Sequence, residues 1–418
     1  MGSPHSFISR TEATLDLRSL IVPTRYARRS SHRAGISVCA IVPSYIPDTC
    51  TLRLVEDLVR YNAELQVFVV DDCTSQELVS CTGIFEQIAR VSDRVMVLRT
   101  PKNKLKAGAL NHALEHIKKL PDLFDVIVTL DDDVVITETT IQTLVSELMS
   151  CPSLGAACSQ SRVANKNKNL LTRLQGLEYL GFNAIRMADD GFMHGPLVMH
   201  GMLTAFRGKA LGDAGGFTEG HLIEDYEVTV RLKSNGWRVR SVVNAPASTV
   251  VPETLPKFWR QRTRWSYGGL MVVSHATRLS TVFQDVLGHC MFTATIALVL
   301  MLQLSKGGGL VPSGISKIII ALSLFQLGVS YAFQLWLMKS YKERDVVDWA
   351  LRISLIPEFI YGYIMTAALI GSYLYFVFNT LTRQITEKSF VFLRRLASIG
   401  NTTFRLLGFV NNAWGTRV

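Results

Sequence analysis

Short apolar runs alternate with stretches of helical spacing along the first part of the chain. Each run is predicted to be a buried strand, and each stretch in which apolar positions recur every three or four residues is predicted to be a helix. Strands and helices in strict alternation predict parallel pairing with right-handed crossovers, and hence a doubly wound α/β sheet. The predicted strands are 35–42, 65–70, 95–98 and 124–130, and the predicted helices are 52–61, 75–91, 105–119 and 138–150.

The alternation continues less regularly beyond these elements. A further strand is predicted at 154–159 and a long amphipathic helix at 169–187, and an apolar stretch follows at 198–206. The next predicted helix, 223–232, opens with three carboxylates. We therefore expect one α/β domain over residues 35–252.

The last third of the sequence has membrane-like patterns. Residues 258–277 mix Trp, Arg, Tyr and apolar side chains, as expected of a helix that lies in a membrane interface. Three uncharged stretches follow that are long enough to span a bilayer, and the loop between the first two is short enough to predict a hairpin. The predicted parts are interfacial helices at 253–285, a transmembrane region at 286–378 with stretches at 286–304, 318–338 and 359–378, and a basic amphipathic tail at 379–418.

The tail is predicted to lie in the interface. A crossing by residues 389–411 would bury three arginines at about 2.5 to 3.5 kcal/mol each. If all three uncharged stretches cross, however, the basic tail ends opposite the α/β domain, against the positive-inside rule. The third stretch is therefore our candidate for a re-entrant or strongly tilted element, because Pro357, Gly362 and Gly371 weaken its helix.

Composition narrows the partners and the compartment. The net charge of +10 is spread along the chain, which suits anionic lipid headgroups and a phosphate-bearing substrate. The sequence contains no nucleic-acid motif, so no nucleic-acid partner is expected. The seven cysteines include no C-x-x-C pair, which argues against a disulfide framework or zinc site and fits a reducing cytosolic face. Residues 1–34 lack the apolar run of a signal peptide and are predicted to be a flexible basic leader.

Acidic residues follow two of the predicted strands. Ligands of a doubly wound sheet bind beyond the carboxyl ends of its strands, which is where Asp71-Asp72 and Asp131 to Asp133 fall. Asp71-Asp72 alone is equally well explained as a helix cap. If the strand persists, Asp131 and Asp133 face the same way and could share a divalent cation. The carboxylates at 224–227 open a helix, where the helix dipole favours them whatever their function.

A polar group precedes the first uncharged stretch. On a helix, Gln261, Arg264 and Trp265 fall at i, i+3 and i+4 and share one face, with Arg262 beside them. An arginine can grip phosphate oxygens and a tryptophan can stack on a sugar ring. Taken alone, the segment would be an amphipathic surface helix. The acidic residues upstream favour the interpretation as a substrate site.

The order of these motifs resembles the processive inverting glycosyltransferases of family 2, which include cellulose, chitin, hyaluronan and poly-N-acetylglucosamine synthases. The resemblance covers roughly residues 35–380. It rests on several motifs in the same order, which are Val42-Pro43-Ser44-Tyr45, Asp71-Asp72, Lys106-Ala107-Gly108-Ala109-Leu110-Asn111, Asp131-x-Asp133, Glu224-Asp225 and Gln261-x-x-Arg264-Trp265.

The resemblance implies a GT-A fold and assigns roles to these positions. Tyr45 and Asp72 would line the uridine site, and Lys106 would lie near the nucleotide. Asp131 and Asp133 would hold Mg²⁺ or Mn²⁺ on the diphosphate, so Asp133 belongs to the catalytic set with Glu224 and the general base Asp225. The helix would bind the acceptor sugar and the leaving diphosphate through Gln261, Arg262, Arg264 and Trp265.

Two further segments bear on the donor. Residues 251–255 resemble poly-N-acetylglucosamine synthases, and Trp414 to Arg417 is similar to the C-terminal motif by which chitin and hyaluronan synthases touch the diphosphate, which makes Trp414 and Arg417 candidate substrate contacts. Ile223 stands where the family usually has Thr, and Ile46-Pro47 stands where Asn-Glu often follows the first Tyr. The favoured donor is UDP-N-acetylglucosamine.

The resemblance implies a multi-pass enzyme of the cell membrane with a cytosolic catalytic domain. Its partners would be a UDP-sugar, a growing β-linked glycan and membrane lipid, with export or accessory subunits or a second copy of the chain. The alternatives are a cellulose-like β-glucan synthase, a non-processive lipid glycosyltransferase similar to ceramide glucosyltransferase, and a non-catalytic subunit of a secretion complex. A cation channel is the least favoured alternative, because the predicted spans contain no Asp, Glu, Lys or Arg.

Overall fold

A computed structural model describes residues 35–409 except residues 76, 78, 122, 190–192, 306–312 and 387–390. The predicted leader and the predicted contacts Trp414 and Arg417 lie outside the described residues. An eight-stranded sheet is followed by a group of helices. The strands are β1 (Val38–Ser44), β2 (Gln66–Asp71), β3 (Val95–Arg99), β4 (Val126–Leu130), β5 (Val135–Ile136), β6 (Leu154–Val163), β7 (Leu203–Arg207) and β8 (Arg238–Thr249), in the spatial order β3-β2-β1-β4-β7-β6-β8-β5.

The first four strands pair in parallel. β1 lies between β2 and β4, and β2 also pairs with β3. The helices of this half are α1 (Thr49–Tyr61), α2 (Val79–Ala89), α3 (Leu105–Ile117) and α4 (Thr140–Ser150). The predicted doubly wound arrangement is therefore confirmed for this half of the sheet.

The other half of the sheet is mixed, and the strict alternation that predicts parallel pairing does not extend to it. β7 runs antiparallel to both of its neighbours, β4 and β6, and the short β5 runs antiparallel to β8. β8 is absent from the predicted strands because polar residues such as Arg238, Ser241 and Asn244 interrupt its apolar positions. Buried and partly exposed positions alternate along it, as in a half-buried strand.

Apolar side chains pack on both faces of the sheet. One cluster joins the sheet to α1 and α4 through residues such as Leu54 and Leu144. The other joins it to α3 and to the later helix α7 through Leu110 and Leu232. With both faces covered, the carboxyl ends of the parallel strands form the edge at which functional loops gather.

Nine α-helices complete the described chain, which also has three segments long and apolar enough to cross a membrane. These segments are Leu279–Met301, Lys317–Ser340 and Ile356–Thr382, and the second includes the 3-10 turn after α10. The loop of the predicted hairpin, at 306–312, lies outside the described residues. The helices are α5 (Leu170–Ala188), α6 (Gly208–Asp213), α7 (Glu224–Ser234), α8 (Leu255–His275), α9 (Leu279–Ser305), α10 (Ser313–Leu337), α11 (Val346–Ser354), α12 (Ile356–Thr386) and α13 (Val391–Leu406).

Helix α12, the third apolar helix, lies against α8. Tyr361 near its start packs on Phe258, and Tyr375 further along packs on Tyr267, with ring centroids 5.2 and 4.7 Å apart. Asn379 Nδ2 donates to Tyr267 Oη at 2.9 Å. The two helices therefore run side by side in the same direction.

After α13 the chain returns to α8. Trp259 Nε1 donates to the Leu407 carbonyl at 2.7 Å, and Thr263 Oγ1 donates to the Gly408 carbonyl at 2.8 Å. The ring of Phe409 packs edge-on against Trp259. The described chain thus ends beside the helix that carries Gln261 to Trp265.

Ion pairs fix the short helix α11 to the α/β domain. Lys166 binds Asp348 at 2.7 Å, and Arg173 binds Asp345 at 2.7 Å and Asp348 at 3.0 Å. Asp348 is fully buried. Asp345 is the N-cap of α11 and accepts from Asp348 N at 3.0 Å. The hydrogen bonds from Arg173 and from this N–H lower the pKa of Asp345 to about 2.

Asp345→Ala is expected to loosen α11, because it removes both the N-cap and the carboxylate that faces Arg173. Loss of an N-cap typically costs about 1 kcal/mol, which corresponds to roughly fivefold faster amide exchange in α11. Hydrogen exchange read by mass spectrometry measures it. Asp345→Asn keeps a capping oxygen and is the matched control, with a smaller change expected. Wild-type exchange in Asp345→Ala would contradict this role.

Candidate active site

A cluster of charges lies at the carboxyl edge of the sheet. Lys106, in the first turn of α3, places its Nζ 2.6 Å from Asp131 Oδ1 and 2.9 Å from Glu224 Oε1. The same Nζ donates to the Gly201 carbonyl at 3.0 Å. Four separate segments of the chain therefore converge on one ammonium group. They are the starts of α3 and α7, the turn after β4 and the segment before β7.

Asp225 is held next to this ammonium by the backbone. Its Oδ2 accepts from Gly201 N at 2.7 Å and its Oδ1 accepts from Tyr226 N at 2.8 Å. Burial and the negative charge of Glu224 raise the pKa of Asp225 to about 6, against the opposing effects of Lys106 and the two N–H donors. A carboxylate with this pKa can take up a proton near neutral pH.

The two neighbours of Asp225 stay charged. Burial raises the pKa of Glu224, but the attraction and hydrogen bond of Lys106 outweigh burial and lower that pKa below its ordinary value. Burial lowers the pKa of Lys106, yet the combined attraction of Asp131, Glu224 and Asp225 outweighs burial and raises it. Adjacent carboxyl groups with pKa values pushed apart are typical of acid–base sites.

Gly201 leaves room for the charge cluster. A Cβ built at Gly201 would lie 2.5 Å from Lys106 Nζ, 3.2 Å from Asp225 Oδ2 and 3.3 Å from Glu224 Oε1. Any side chain would therefore enter the charge cluster. Sequence reasoning did not single out Gly201, because a glycine in an apolar stretch carries no chemical signal of its own.

The three acidic residues after β4 point to three different partners. β4 ends at Leu130, so these residues lie on a turn and not on a strand. Asp131 contacts Lys106, the buried Asp132 accepts from Ser44 Oγ at 2.5 Å, and Asp133 accepts from Thr249 Oγ1 at 3.1 Å. Because the strand does not continue through Asp133, its two-residue spacing does not bring Asp131 and Asp133 to the same side.

The donor set of this turn nevertheless fits a hard divalent cation. Within the described residues, no group of three His, Cys, Asp or Glu side chains could hold a metal ion. Mg²⁺ is commonly bound through one or two carboxylates together with substrate phosphates and water. Asp131 is about one-third exposed and has a cation against it already, the Lys106 ammonium. Asp131 and Asp133 are thus the residues here that could hold such an ion.

The ends of β1 and β2 form the neighbouring part of this edge. Asp72 is fully buried and accepts from Thr100 Oγ1 at 2.8 Å and from Lys104 N at 2.9 Å. Asp71 accepts from Thr74 N at 2.8 Å. Neither aspartate caps α2, which begins at Val79. The helix-cap explanation is therefore wrong.

Strained backbone also marks this edge. Tyr45 is half-buried directly after β1, and the next residue, Ile46, has a φ of 57°. Cys73 and Leu105 have φ values of 59° and 60°. Non-glycine residues in the left-handed region cost free energy and cluster at functional sites.

Helix α8 approaches the cluster from the side of α7. Arg264 Nη1 donates to the Leu222 carbonyl at 3.1 Å, and its charge contributes to the lowered pKa of Glu224. Trp265 is half-buried against an apolar cluster that includes Ile223, the residue before α7, and Tyr226 and Val230 of α7. Gly268 makes this approach close, because a Cβ there would lie 2.9 Å from Ile223 Cγ1. The isoleucine that replaces the usual threonine thus packs against α8.

Comparison with known proteins decides the family. The sequence profile described as glycosyl transferase family group 2 matches residues 126–379, which is more than half of the chain, and that of glycosyl transferase family 2 matches residues 39–211. This chain is a family 2 glycosyltransferase. The family inferred from the order of the motifs is confirmed.

Relatives and a solved structure agree with this assignment. A poly-β-1,6-N-acetyl-D-glucosamine synthase of Staphylococcus aureus (strain COL) is 25% identical over 204 residues, covering 49% of this chain and 47% of the relative. The probable glycosyltransferase YdaM of Bacillus subtilis (strain 168) is 29% identical over 243 residues, or 56% of each chain. The alignments thus span about half of each relative's length.

The fold has a counterpart of known structure. The mannosyltransferase PcManGT from Pyrobaculum calidifontis, solved in complex with GDP-Man and Mn²⁺, superposes with a TM-score of 0.51 at 18% identity, covering 72% of this chain and 85% of the other. The α/β domain of this glycosyltransferase therefore has the GT-A fold, with its mixed sheet, followed by the apolar helices.

The glycosyltransferase does not present Arg262 as a substrate contact. Arg262 is 1% exposed. Its guanidinium donates to Glu178 and to Gln261 Oε1, and it lies over the rings of Phe258 and Trp265 at 4.7 and 4.2 Å. These contacts do not support the predicted substrate role, and we assign Arg262 to holding α8 on α5. Glu178 was not anticipated, because it lies 84 residues earlier in the chain.

Arg186 is another residue that the sequence did not predict, after Gly201 and Glu178. Its guanidinium donates to Ser161 Oγ at 3.2 Å and to the Val198 carbonyl at 3.3 Å. Burial lowers the pKa of Arg186, and the charge of Asp225 is among the effects that oppose burial. A single arginine near the end of a predicted amphipathic helix gives no signal that it faces an active site.

Proposed function

We propose that this glycosyltransferase transfers a sugar from a UDP-sugar, in the first place UDP-N-acetylglucosamine, to a growing β-linked glycan with inversion at the anomeric carbon. The carrying observation is Asp225, which is fixed by two backbone N–H groups, has a pKa of about 6 and lies within the electrostatic influence of the Lys106 ammonium. Two observations support the preference for N-acetylglucosamine. The staphylococcal relative is a poly-β-1,6-N-acetyl-D-glucosamine synthase, and residues 251–255 resemble the corresponding segment of such synthases.

The reaction is a single displacement. An acceptor hydroxyl oxygen attacks the anomeric carbon, the bond from that carbon to the diphosphate oxygen breaks, and UDP leaves with the bonding electron pair. Asp225 accepts the hydroxyl proton as the new bond forms. Lys106 and Arg264 are the cations that offset the negative charge growing on the leaving diphosphate. Because the donor is α-linked, inversion gives a β-linkage.

Asp131 and Asp133 are the proposed holders of Mg²⁺ or Mn²⁺. The ion would neutralise charge on the diphosphate. The Mn²⁺ reported with the mannosyltransferase of the same fold supports this choice. In the same scheme Tyr45 and Asp72, at the ends of β1 and β2, line the uridine site, and Gln261, Arg264 and Trp265 bind the acceptor sugar and the leaving diphosphate.

The proposed setting is the cell membrane, with the GT-A domain cytosolic. The tail segment 407–409 hydrogen-bonds to α8, so the end of the described chain lies next to the catalytic domain. Helix α12 runs along α8, which supports a tilted or re-entrant α12 and an even number of crossings. This arrangement would leave Trp414 and Arg417 on the side of the diphosphate. Export subunits or a second copy of the chain are further proposed partners.

Purified full-length protein tests the proposal with a panel of UDP-sugars. UDP release should be largest with UDP-N-acetylglucosamine, and size analysis should show a polymer. A product carrying a single sugar on lipid would replace the processive enzyme with a lipid glycosyltransferase. Absence of UDP release with every donor would contradict glycosyl transfer from UDP-sugars.

The pH dependence of kcat/KM is expected to show one ionisation near pH 6. Asp225 must be ionised to accept a proton, so activity should be full above its pKa and fall about tenfold per pH unit well below it. Glu224 and Lys106 are shifted away from this range. A profile that stays flat from pH 7 to pH 5 would contradict the assignment of Asp225 as base.

A further inference from the structure

A tyrosine of helix α7 joins the active-site edge to helix α9. Tyr226, the residue after Asp225, is 2% exposed, and its Oη donates to Asp285 Oδ2 of α9 at 2.9 Å. Burial, followed by the charge and the hydrogen bond of Asp285, raises the pKa of Tyr226, so the hydroxyl stays protonated and donates. This hydrogen bond connects the α/β domain to the first candidate membrane segment, Leu279–Met301.

The same tyrosine holds Asp225 with its backbone. Tyr226 N donates to Asp225 Oδ1 at 2.8 Å, which is one of the two N–H hydrogen bonds that fix this carboxylate. Tyr226 therefore has a carboxylate at each end, Asp285 at its hydroxyl and Asp225 at its amide. Because the ring is closely packed, its position and that of the backbone depend on each other.

One face of α9 forms the contact with α7. Val282, Asp285 and Val286 fall at i, i+3 and i+4 and share that face. Val282 is fully buried in the cluster that contains Tyr226 and Val230, and Val286 packs against the same cluster. Apolar packing thus surrounds the Tyr226 ring, and a hydrogen bond in such surroundings is stronger than one at an exposed site.

Asp285 has a further neighbour that leads to α12. Its Oδ1 lies 3.5 Å from Nε2 of His289, one turn further along α9. His289 Nδ1 hydrogen-bonds to Tyr373 Oη of α12 at 2.6 Å, and the two rings pack edge-on with centroids 5.6 Å apart. Ionisable residues within a membrane segment are usually functional and paired. Here the contacts of Asp285 link two candidate membrane helices to the start of α7.

We propose that Asp285 is a positioning residue for glycosyl transfer, which fixes the start of α7 through the Tyr226 hydroxyl and thereby orients the Asp225 carboxylate. The inference rests on the proposed role of Asp225 as base. Asp285 acts through Tyr226 and takes no proton from the acceptor. The first candidate membrane helix thus becomes part of the framework that holds the base in place.

Hydrogen exchange tests the link without any donor or acceptor. In the full-length protein, Asp285→Ala and Tyr226→Phe each remove the hydrogen bond and should speed amide exchange in residues 223–227 by about three- to tenfold, the usual net effect of one hydrogen bond. Asp285→Asn keeps an acceptor oxygen and should exchange nearly as wild type does. The matched control is Gln284→Ala, because Gln284 Nε2 donates to Asp189 Oδ1 at 2.6 Å and ties α9 to the end of α5. It should leave residues 223–227 unchanged.

The pH profile of the same variants tests the consequence for Asp225. A weaker hydrogen bond from Tyr226 N destabilises the ionised carboxylate, so the acid limb of kcat/KM should move up by about half a pH unit in Asp285→Ala and Tyr226→Phe. The turnover number should fall about tenfold, because a misplaced catalytic group reacts slowly, while the dissociation constant of UDP stays unchanged. Every variant retains the charged groups that act on Asp225, which include Lys106, Glu224 and Arg186.

The outcomes are distinguishable. Wild-type exchange at 223–227 in both Asp285→Ala and Tyr226→Phe would overturn the inference, and so would an equal effect in Gln284→Ala, which would indicate general loosening of α9. A lower acid limb in Asp285→Asn would overturn it in favour of a direct charge effect, because loss of a nearby negative charge lowers the pKa of a carboxyl group. If the proposed function fails instead, wild type itself shows no acid limb, while exchange at 223–227 still rises in the two variants.

Discussion

Asp225→Asn is expected to lower the turnover number by about 10²- to 10⁴-fold, the usual effect of removing a general base. The amide can still accept from Gly201 N, so the local structure should persist. What it cannot do is take the proton from the acceptor hydroxyl. UDP binding, measured by calorimetry, should survive because the role proposed for Asp225 is to accept a proton from the acceptor and not to bind the nucleotide.

Glu227→Gln is the matched control for this substitution. Glu227 lies in the same first turn of α7 but binds Arg231, with Oε1 2.6 Å from its Nε. Its loss removes an acidic residue from the same helix end without touching Lys106 or Gly201. Comparable loss of turnover in both variants would point to the helix dipole or to folding. Loss of UDP binding in Asp225→Asn with normal turnover of the bound fraction would assign Asp225 to the nucleotide.

Asp131→Asn is expected to lower turnover by roughly 10²- to 10³-fold at fixed Mg²⁺ or Mn²⁺, because a bound cation supplies several kcal/mol of charge stabilisation. The substitution also weakens the contact with Lys106, so turnover alone would not separate the two effects. A Mn²⁺ titration does, because loss of a metal ligand raises the concentration needed for half-maximal activity. Asp133→Asn should show the same shift without changing the Lys106 contact.

Glu138→Gln is the control for the acidic turn, since Glu138 is exposed a few residues further along the chain. It should leave the Mn²⁺ titration unchanged. Excess EDTA should abolish turnover of the wild type. Full activity in EDTA would contradict a role for a divalent cation in turnover. Asp131 would then be assigned to its contact with Lys106.

The sequence predicts the parallel half of the fold well because β1, β2 and β4 are short runs of mostly buried apolar residues. Burial on both faces makes such strands easy to recognise. The mixed half is harder to predict. β8 buries alternate positions and carries several polar residues, and the direction of β7 depends on pairing with β4 and β6, which no local pattern encodes.

In the candidate site, too, some residues can be predicted from the sequence and others cannot. Charged residues at strand ends and helix starts, such as Lys106, Asp131 and Asp225, carry a chemical signal and could be named from the sequence. Helical spacing also predicts that Arg262 and Arg264 lie on different faces of the helix, but it does not predict which of the two is buried. That depends on Glu178, which comes from α5. The roles of Gly201 and Arg186 can be recognised only from the residues that the fold places next to them.

The anomeric configuration of the product is the most direct test of single displacement assisted by Asp225. The purified full-length enzyme is given an α-linked UDP-sugar that it turns over, and the first glycosidic bond formed is examined by proton NMR before any product can be modified. The account predicts a β-linkage, because a single displacement with Asp225 as base and no covalent intermediate inverts the anomeric carbon. An α-linkage would mean net retention and would contradict the mechanism.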